Sequence, residues 1–469
     1  MTNLLCDVAI IGAGTAGLAA ERSARRAGAR TLLIDDRFAG TTCAAVGCMP
    51  SKLLIAAAHA AHTVRQAAIF GINAPEPRID GAAVMRRIRQ ERDRFVRATQ
   101  ESIAKIPDGI RIEARAHFID RNTLALDDGR RVSAKTVVVA TGSRPRIPPM
   151  FEVLGDRILT NETVFELPDL PRSVAVVGAG PLGLELAQAF VRLGVDTEVF
   201  DEGNRLAGLH DDEVAAELKS ILTKELPIHL KVSLSVEREG DAAKVSWSGP
   251  SSGKKRFERV LVATGRPPDI HGLVLNATGL AMDEKETPLC DPETLQCGDA
   301  PFFLAGDADA RRPVLHEASS EGAIAGRNAA SFPIVHRARR SVAFSIMFTD
   351  PPLAMLGGPA ADDAVIGRAS YADQGRAKIE ARNAGLIRLY AERPDGRLVG
   401  AAMVGPGADH IAHLLAWAIE RGESATMLLD LPYYHPTFEE GLKPALREIC
   451  EAVNAPMVPD RDEGTPPGA

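Results

Sequence analysis

Six cysteines are spread over 469 residues, too few in too long a chain for the disulfide framework of a secreted domain. Charge of one sign never accumulates: 55 Lys and Arg stand against 62 Asp and Glu, a net charge of −7. With no long run of either sign, nucleic acid and anionic membrane surfaces are poor partners. No apolar run is read as approaching bilayer length. The N-terminus enters an apolar strand at Asp7–Ile11 without the basic and apolar regions of a secretory signal, so the expectation is a soluble, cytoplasmic protein. His59 and His62, and likewise His410 and His413, lie one helical turn apart, but no further ligands accompany them and no metal site is expected.

What is present is concentrated in Gly40-Thr41-Thr42-Cys43-Ala44-Ala45-Val46-Gly47-Cys48-Met49-Pro50-Ser51-Lys52. Two cysteines precede a helix reading Ser51–Ala58, with Pro50 in the first turn, where a missing N–H is tolerated. A helix N-terminus and a nearby lysine both stabilise a thiolate, the reactive form of cysteine, and Cys48 is the better placed of the two. A bridge between them closes a very short loop, which suits a disulfide made and broken in turnover better than a structural staple. The alternative is a pair of free, buried cysteines at a strand-to-helix turn. Cys6, Cys290, Cys297 and Cys450 are scattered and read as structural, Cys290 with Cys297 being the remaining candidate for a second pair.

A second feature is duplicated. Residues 7–35 read as a βαβ unit: an apolar strand, Gly12-Ala13-Gly14-Thr15-Ala16-Gly17, an Ala-rich helix to about Ala27, and a strand Thr31–Ile34 ending at Asp35. Glycines at these positions allow a tight turn and close backbone approach to a pyrophosphate on the helix N-terminus, and the acid takes a ribose hydroxyl. The pattern recurs as Val174–Val177, Gly178-Ala179-Gly180-Pro181-Leu182-Gly183, a helix, and a strand ending at Asp201. In both copies the acid lies 23 residues beyond the first glycine. Two copies imply two dinucleotides.

A further echo joins Val137–Gly142 to Val260–Gly265, each an apolar strand closing on Ala-Thr-Gly. Residues 100–135 and 225–258 alternate apolar and polar positions and read as β-meanders inserted in each half. Prolines 145, 148, 149, 168 and 171 mark the crossing between halves. Phe302–Asp307 reads as a buried strand ending in Gly-Asp, followed by a helix from His316 to about Ala330 that carries Glu317, Glu321 and Gly322. Beyond Arg340 come strand patterns and two helices, Asp409–Arg421 and Glu439–Glu448. Residues 456–469, rich in Pro, Gly and charge, read as a disordered tail.

Together these motifs resemble the flavin-dependent pyridine nucleotide-disulfide oxidoreductases of class I, over residues 5 to about 450. The resemblance implies an α/β fold with two Rossmann-like domains, binding FAD and NAD(P), and an α+β C-terminal dimerisation domain. It divides the chain into an FAD-binding domain (1–147), an NAD-binding domain (148–270), a return to the FAD domain (271–338) and the dimerisation domain of a homodimer (339–455). By the same resemblance FAD is held through Gly12, Gly14, Gly17, Asp35, Thr42, Lys52, Thr141, Gly142, Gly306 and Asp307, the last at the flavin ribitol. The nicotinamide nucleotide is held through Gly178, Gly180, Gly183, Asp201 and Gly265. Cys48 becomes the sulfur beside the flavin and Cys43 the one that exchanges with substrate. Lys52 sits near flavin N5 and pairs with Glu185, a fixed cation where reduction places negative charge. In His435-Pro436-Thr437-Phe438-Glu439-Glu440 the histidine, oriented by Glu440, reaches across the dimer to the other protomer's cysteines as a base. Thr437 to Glu440 also spells a capping box, which would make Glu440 a helix-start device only.

Within that family the stretch Leu315–Gly322 is similar to dihydrolipoamide dehydrogenases. Mercuric reductases resemble the chain less in lacking a histidine at 435 and carrying a C-terminal cysteine pair, absent from 456–469. Asp201 and Glu202 favour NAD, since a 2′-phosphate there meets like charge, although Arg205 is near. The expected substrate is a lipoyl-carrying protein or a small dithiol. The alternatives are an NAD(P)H-dependent reductase of another disulfide or a metal ion, and a redox-silent flavoprotein subunit of a larger assembly. The sequence departs from the family at Thr41, at Ala44-Ala45 between the cysteines, at Pro181 and at Tyr433-Tyr434, and these positions bear on substrate choice.

Overall fold

The computed structural model describes residues 3–358 and 361–455, so the expected disorder of 456–469 lies outside the described residues. Strand β1 (Asn3–Ile11) is fully buried at Val8, Ala9 and Ile10, runs into helix α1 (Thr15–Arg26) and returns as β2 (Thr31–Asp35) in parallel register, Val8 facing Thr31 and Ile11 facing Ile34. Three more strands follow, β3 (Arg111–Glu113), β4 (Ala116–Phe118) and β5 (Thr123–Leu126), before β6 (Arg131–Val139) pairs parallel with β1. The sheet order is β3-β2-β1-β6-β5-β4, and Phe302–Leu304 joins on β6. The first stretch expected as an inserted meander is therefore part of this sheet. Leu124 pairs with Val132, and the buried side of this edge packs Phe118 on Phe302 with ring centroids 4.9 Å apart. Apolar residues that would have faced solvent in a separate hairpin are thus covered.

The second half repeats the plan with Ser173–Val177, a helix and Asp196–Asp201 in a parallel sheet. Here the expected meander does form its own three-stranded antiparallel sheet, Ser233–Glu239, Ala242–Ser248 and Gly253–Phe257.

Between β2 and β3 lie α2 (Thr42–Ala45), α3 (Cys48–Gln66) and α4 (Gly81–Ala104). The 24-residue α4 overlaps residues 100–104, which were read as strand. Its sequence is charged on most sides and buries only Gly81, Met85, Ile88 and Ile103, and Asp80 caps it by accepting from Ala83 N at 2.8 Å. Thr42–Phe70 is long and apolar enough to meet a length-and-composition test for a membrane span, contrary to expectation. Its alanines account for this. The helix breaks at Gly47 (φ −121°, ψ −116°), carries the Lys52 charge and packs Leu54, Ala58 and Ala61 into the interior.

The return segment packs helix Leu315–Ser331 on α1 at backbone contact. A Cβ on Gly322 or Gly326 would fall 2.1 or 2.2 Å from the carbonyl oxygens of Ala16 and Ala20, so only glycine permits this crossing. The C-terminal part is a five-stranded antiparallel sheet flanked by Ala408–Arg421 and Lys443–Val453. The last helix was expected at Glu439–Glu448. Residues Glu439–Leu442 instead form a 3₁₀ turn, and the α-helix starts beyond Gly441 with a proline in its first turn. Two short helices, Gly375–Ile379 and Ala425–Leu429, carried no sequence signal. Asp211 ties the second half to this part, accepting from Arg388 Nε and Tyr390 Oη, both at 2.6 Å.

Candidate active site

Cys43 lies in the single turn α2, whose start is capped by Thr41 Oγ1 accepting from Ala44 N at 3.3 Å, and Thr42 beside it is exposed. Cys48 is the first residue of α3, which starts three residues earlier than expected, so that Pro50 is the third helical residue. Gly47 brings the two turns together: a Cβ there would stand 3.0 Å from Thr42 O and 3.2 Å from Cys43 Cα. Cys43 is half-buried and Cys48 exposed. The neighbouring Cys43 thiol, with Lys52 adding attraction, lowers the Cys48 pKa to about 6 against partial burial. Cys43, beside Cys48 and itself partly buried, is raised. Burial pushes Cys290 up to about 12 and also raises Cys297, so these two stay protonated and inert.

Four residues into α3, Lys52 Nζ lies 2.8 Å from Glu185 Oε2. Helix α5 (Pro181–Arg192) supplies Glu185, whose other oxygen accepts from Phe348 N at 2.8 Å, and Lys52 Nζ stands 4.5 Å from the Phe348 ring centroid. The ion pair thus joins three parts of the chain at the cysteine helix.

The two glycine loops are built alike. Gly12 N donates to Ile34 O and Gly178 N to Phe200 O, each at 2.8 Å. Ala13 N donates to Asp35 Oδ2 at 2.8 Å and Ala179 N to Asp201 Oδ2 at 2.6 Å. A Cβ on Gly17 would fall 1.8 Å from Gly12 O, and one on Gly183 2.0 Å from Gly178 O, while Gly14 and Gly180 face open space. Neither α1 nor α5 has a side-chain cap. These loops fit the pyrophosphates of two dinucleotides: bare helix N-termini, and an approach that a side chain at Gly14 or Gly180 would fill.

The Ala-Thr-Gly turns meet across the crossing between halves. Asp269 N donates to Gly142 O at 2.8 Å, Arg146 N to Gly265 O at 3.0 Å, and Thr264 Oγ1 to Arg146 O at 3.1 Å. Thr141 Oγ1 is buried without a hydrogen-bond partner, a polar atom that a flavin nucleotide bound at the first loop can satisfy. Asp307 Oδ2 accepts from Ser143 Oγ at 2.8 Å, and Gly306 N donates to the fully buried Glu321 at 2.7 Å. Ser143, Asn161, Arg266 and Phe348 join this surrounding without having been picked out. The echo that ends at Gly142 and Gly265 pointed at Ser143 and Arg266, the next residue in each case, whereas Asn161 and Phe348 carried no signal.

His435 makes no hydrogen bond to either cysteine of its own chain among the described residues. It is exposed, and Nδ1 lies 3.1 Å from Glu440 Oε2. Glu440 Oε1 accepts from Thr437 N at 3.1 Å, half of a capping box. The reciprocal half is missing, because Thr437 Oγ1 is buried and unpartnered. Glu440 therefore serves the ring and the backbone at once.

Residues 6–322 match the family model for pyridine nucleotide-disulphide oxidoreductases and residues 343–446 the model for their dimerisation domain. A mercuric reductase of Streptomyces lividans is 31% identical, covering 95% of this chain and 97% of its own. A dihydrolipoyl dehydrogenase of Bacillus subtilis is 30% identical, covering 94% and 97%. Among solved structures, the HOCl-induced flavoprotein disulfide reductase RclA of Escherichia coli, as its Cu(II) complex, shares the fold with a TM-score of 0.79 at 19% identity, covering 94% of this chain and 99% of that one.

Proposed function

The chain belongs to the pyridine nucleotide-disulphide oxidoreductase family, and from that footing we propose that it is a homodimeric dihydrolipoyl dehydrogenase. The overall reaction is dihydrolipoyl group plus NAD⁺ to lipoyl group, NADH and a proton. Proteins of this family use FAD and NAD(P), and bound FAD supplies a two-electron carrier between the sulfur pair and the nicotinamide. The observation that carries the finer reading is the hydrogen-bonded His435–Glu440 pair in a chain that also holds the Cys43–Cys48 loop. A base fixed by a buried carboxylate is what a dithiol substrate needs and a metal-ion substrate does not.

In this reading the chain rests with Cys43 and Cys48 joined. A substrate thiol gives its proton to His435, which the family resemblance places in the site of the other protomer, and the resulting thiolate attacks Cys43 Sγ. The Cys43–Cys48 bond breaks and Cys48 leaves as thiolate, the form its lowered pKa favours. The second substrate thiol then attacks the substrate sulfur of the mixed disulfide, releasing a cyclic disulfide, and its proton passes to the departing Cys43 sulfur, which leaves as a thiol. Lys52, held by Glu185, presents a fixed cation near the reducible ring. The glycine loop at Gly12–Gly17, with Asp35, Thr141, Gly142, Gly306 and Asp307, holds FAD, and the loop at Gly178–Gly183, with Asp201 and Gly265, holds the nicotinamide nucleotide. A cytoplasmic location and a lipoyl-carrying protein partner belong to the same proposal.

A second reading, reduction of a metal ion or another disulfide with NAD(P)H, is favoured by the 31% identity to the mercuric reductase. One assay separates them. NADH formation from dihydrolipoamide supports the dehydrogenase. No turnover with dihydrolipoamide, alongside rapid NADPH oxidation with Hg²⁺ or a disulfide, rejects it.

A further inference from the structure

The loop between the two cysteines is tied to the second half of the chain by a line of part-buried hydrogen bonds. Val46 O, midway between Cys43 and Cys48, accepts from Asn161 Nδ2 at 3.1 Å. Asn161 Oδ1 accepts from Arg266 Nη1 at 2.6 Å. The same guanidinium donates through Nη2 to Ser143 O at 2.6 Å and through Nε to Ser143 Oγ at 3.2 Å, and Ser143 Oγ donates in turn to Asp307 Oδ2 at 2.8 Å. Asn161 is 3% exposed and Ser143 9%.

Arg266 is an odd occupant of this place. No carboxylate lies within ion-pairing distance of it among the described residues, and burial lowers its pKa by more than the charges of Glu162 and Asp307 raise it. A guanidinium kept there on neutral acceptors is costly unless its fork geometry is used. The fork is used in full: one arm holds the carboxamide that grips the cysteine loop, and the other two nitrogens hold the turn beside Asp307. Arg266 also directly follows Gly265, in the turn that the second glycine motif's domain contributes to the crossing.

We propose that Arg266 is a positioning residue for the redox loop, acting through Asn161, and that it holds that loop in register with the turn at Ser143 and Asp307. The inference rests on the reading of Cys43 and Cys48 as the reacting pair. Loss of either member of the line frees Val46 O and lets the loop between the cysteines shift, which moves Cys43 relative to Cys48 and Lys52. A shift of this kind well short of unfolding changes rates on the order of 10²-fold.

The test uses the purified flavoprotein, its Asn161→Ala, Arg266→Gln and Arg266→Lys variants, and the Asn161→Ala/Arg266→Gln double variant. Each is reduced with dithiothreitol and alkylated with iodoacetamide across a pH series, Cys43 and Cys48 being followed separately by mass spectrometry. The expected result is a higher pH midpoint for Cys48 alkylation in Asn161→Ala and Arg266→Gln. The double variant is expected to be no worse than either single one, since one line is cut twice. Arg266→Lys, keeping one donor, should recover part of the shift. Turnover should fall on the order of 10²-fold with retained flavin and little change in nucleotide KM. Unchanged Cys48 profiles in Asn161→Ala, or additive effects in the double variant, would overturn the proposal. Should Arg266→Gln fail to fold, Asn161→Ala decides alone. A parent protein in which mild oxidation forms no Cys43–Cys48 disulfide would instead overturn the redox-pair reading, a result distinct from either.

Discussion

Lys52 Nζ and Glu185 Oε2 lie 2.8 Å apart, 133 residues distant in sequence, with Glu185 only 5% exposed. The lysine belongs to the cysteine helix and the glutamate to the helix that opens at the second glycine loop, so one ion pair links the two halves where their chemistry must meet. Lys52→Met removes a fixed cation from a site where charge develops. Turnover is expected to fall on the order of 10²- to 10³-fold. Glu185, only 5% exposed, is then left without its cation, so thermal stability should fall as well, by about 3 kcal/mol. Steady-state kinetics beside a melting curve checks both.

Cys48 is expected to behave as an acid far from an ordinary thiol. Its lowered pKa of about 6 comes first from the Cys43 thiol and then from Lys52. In the reduced protein, iodoacetamide should label Cys48 with a pH midpoint near 6 and leave Cys43 slow throughout neutral pH. Cys43→Ser keeps a hydroxyl donor and should preserve much of the low midpoint, whereas Cys43→Ala should raise it. An ordinary thiol midpoint at Cys48 in the parent protein would contradict the geometry.

The two glycine loops are separable by mutation. A methyl group at Gly183 meets Gly178 O at 2.0 Å, and one at Gly17 meets Gly12 O at 1.8 Å. Gly183→Ala should therefore give a yellow protein that retains flavin and binds NADH weakly, by titration calorimetry. Gly17→Ala should purify without flavin. The reverse pattern would exchange the assignment of the two loops.

Much of this was readable from the sequence because the motifs are local. Gly12–Asp35 and Gly178–Asp201 each specify strand, turn and helix within one short stretch, and the folded loops match down to the Ala13–Asp35 and Ala179–Asp201 hydrogen bonds. Long-range contacts were less visible. Nothing local tells that Asn161 reaches Val46 O or that Phe348 N reaches Glu185. Helix α4 carries only a thin apolar stripe, Gly81, Met85 and Ile88 at helical spacing among charged residues, and that stripe packs on α3. The merging of the first meander with the main sheet was equally hidden: alternation fixes which residues face inward, not which strand lies alongside.

Glu321 illustrates a buried charge that supports the flavin-side turn. It accepts from Gly306 N at 2.7 Å and pairs with Arg340 at 2.5 Å, yet burial raises its pKa to about 7. Because the folded state binds this proton more tightly than the unfolded one, stability from this group declines as pH rises from 4.5 toward 7. Glu321→Gln should flatten that decline in urea titrations at pH 5 and pH 7.5. Glu321→Ala leaves Gly306 N and Arg340 short of a partner and should cost about 3 kcal/mol at either pH.

Glu440 is the residue whose replacement speaks most directly to the substrate. One carboxylate oxygen holds His435 Nδ1 and the other the Thr437 N–H. Glu440→Gln can keep the backbone bond while losing the charge that steadies an imidazolium. If His435 handles the substrate proton, Glu440→Gln should lower dihydrolipoamide oxidation about 10- to 100-fold, and His435→Gln on the order of 10²- to 10⁴-fold. NADH oxidation by ferricyanide, which needs no thiol deprotonation, should survive in both. A helix-start role alone predicts otherwise: Glu440→Gln would then be close to parent in every assay, and Glu440→Ala would lose stability without a selective loss of dithiol turnover.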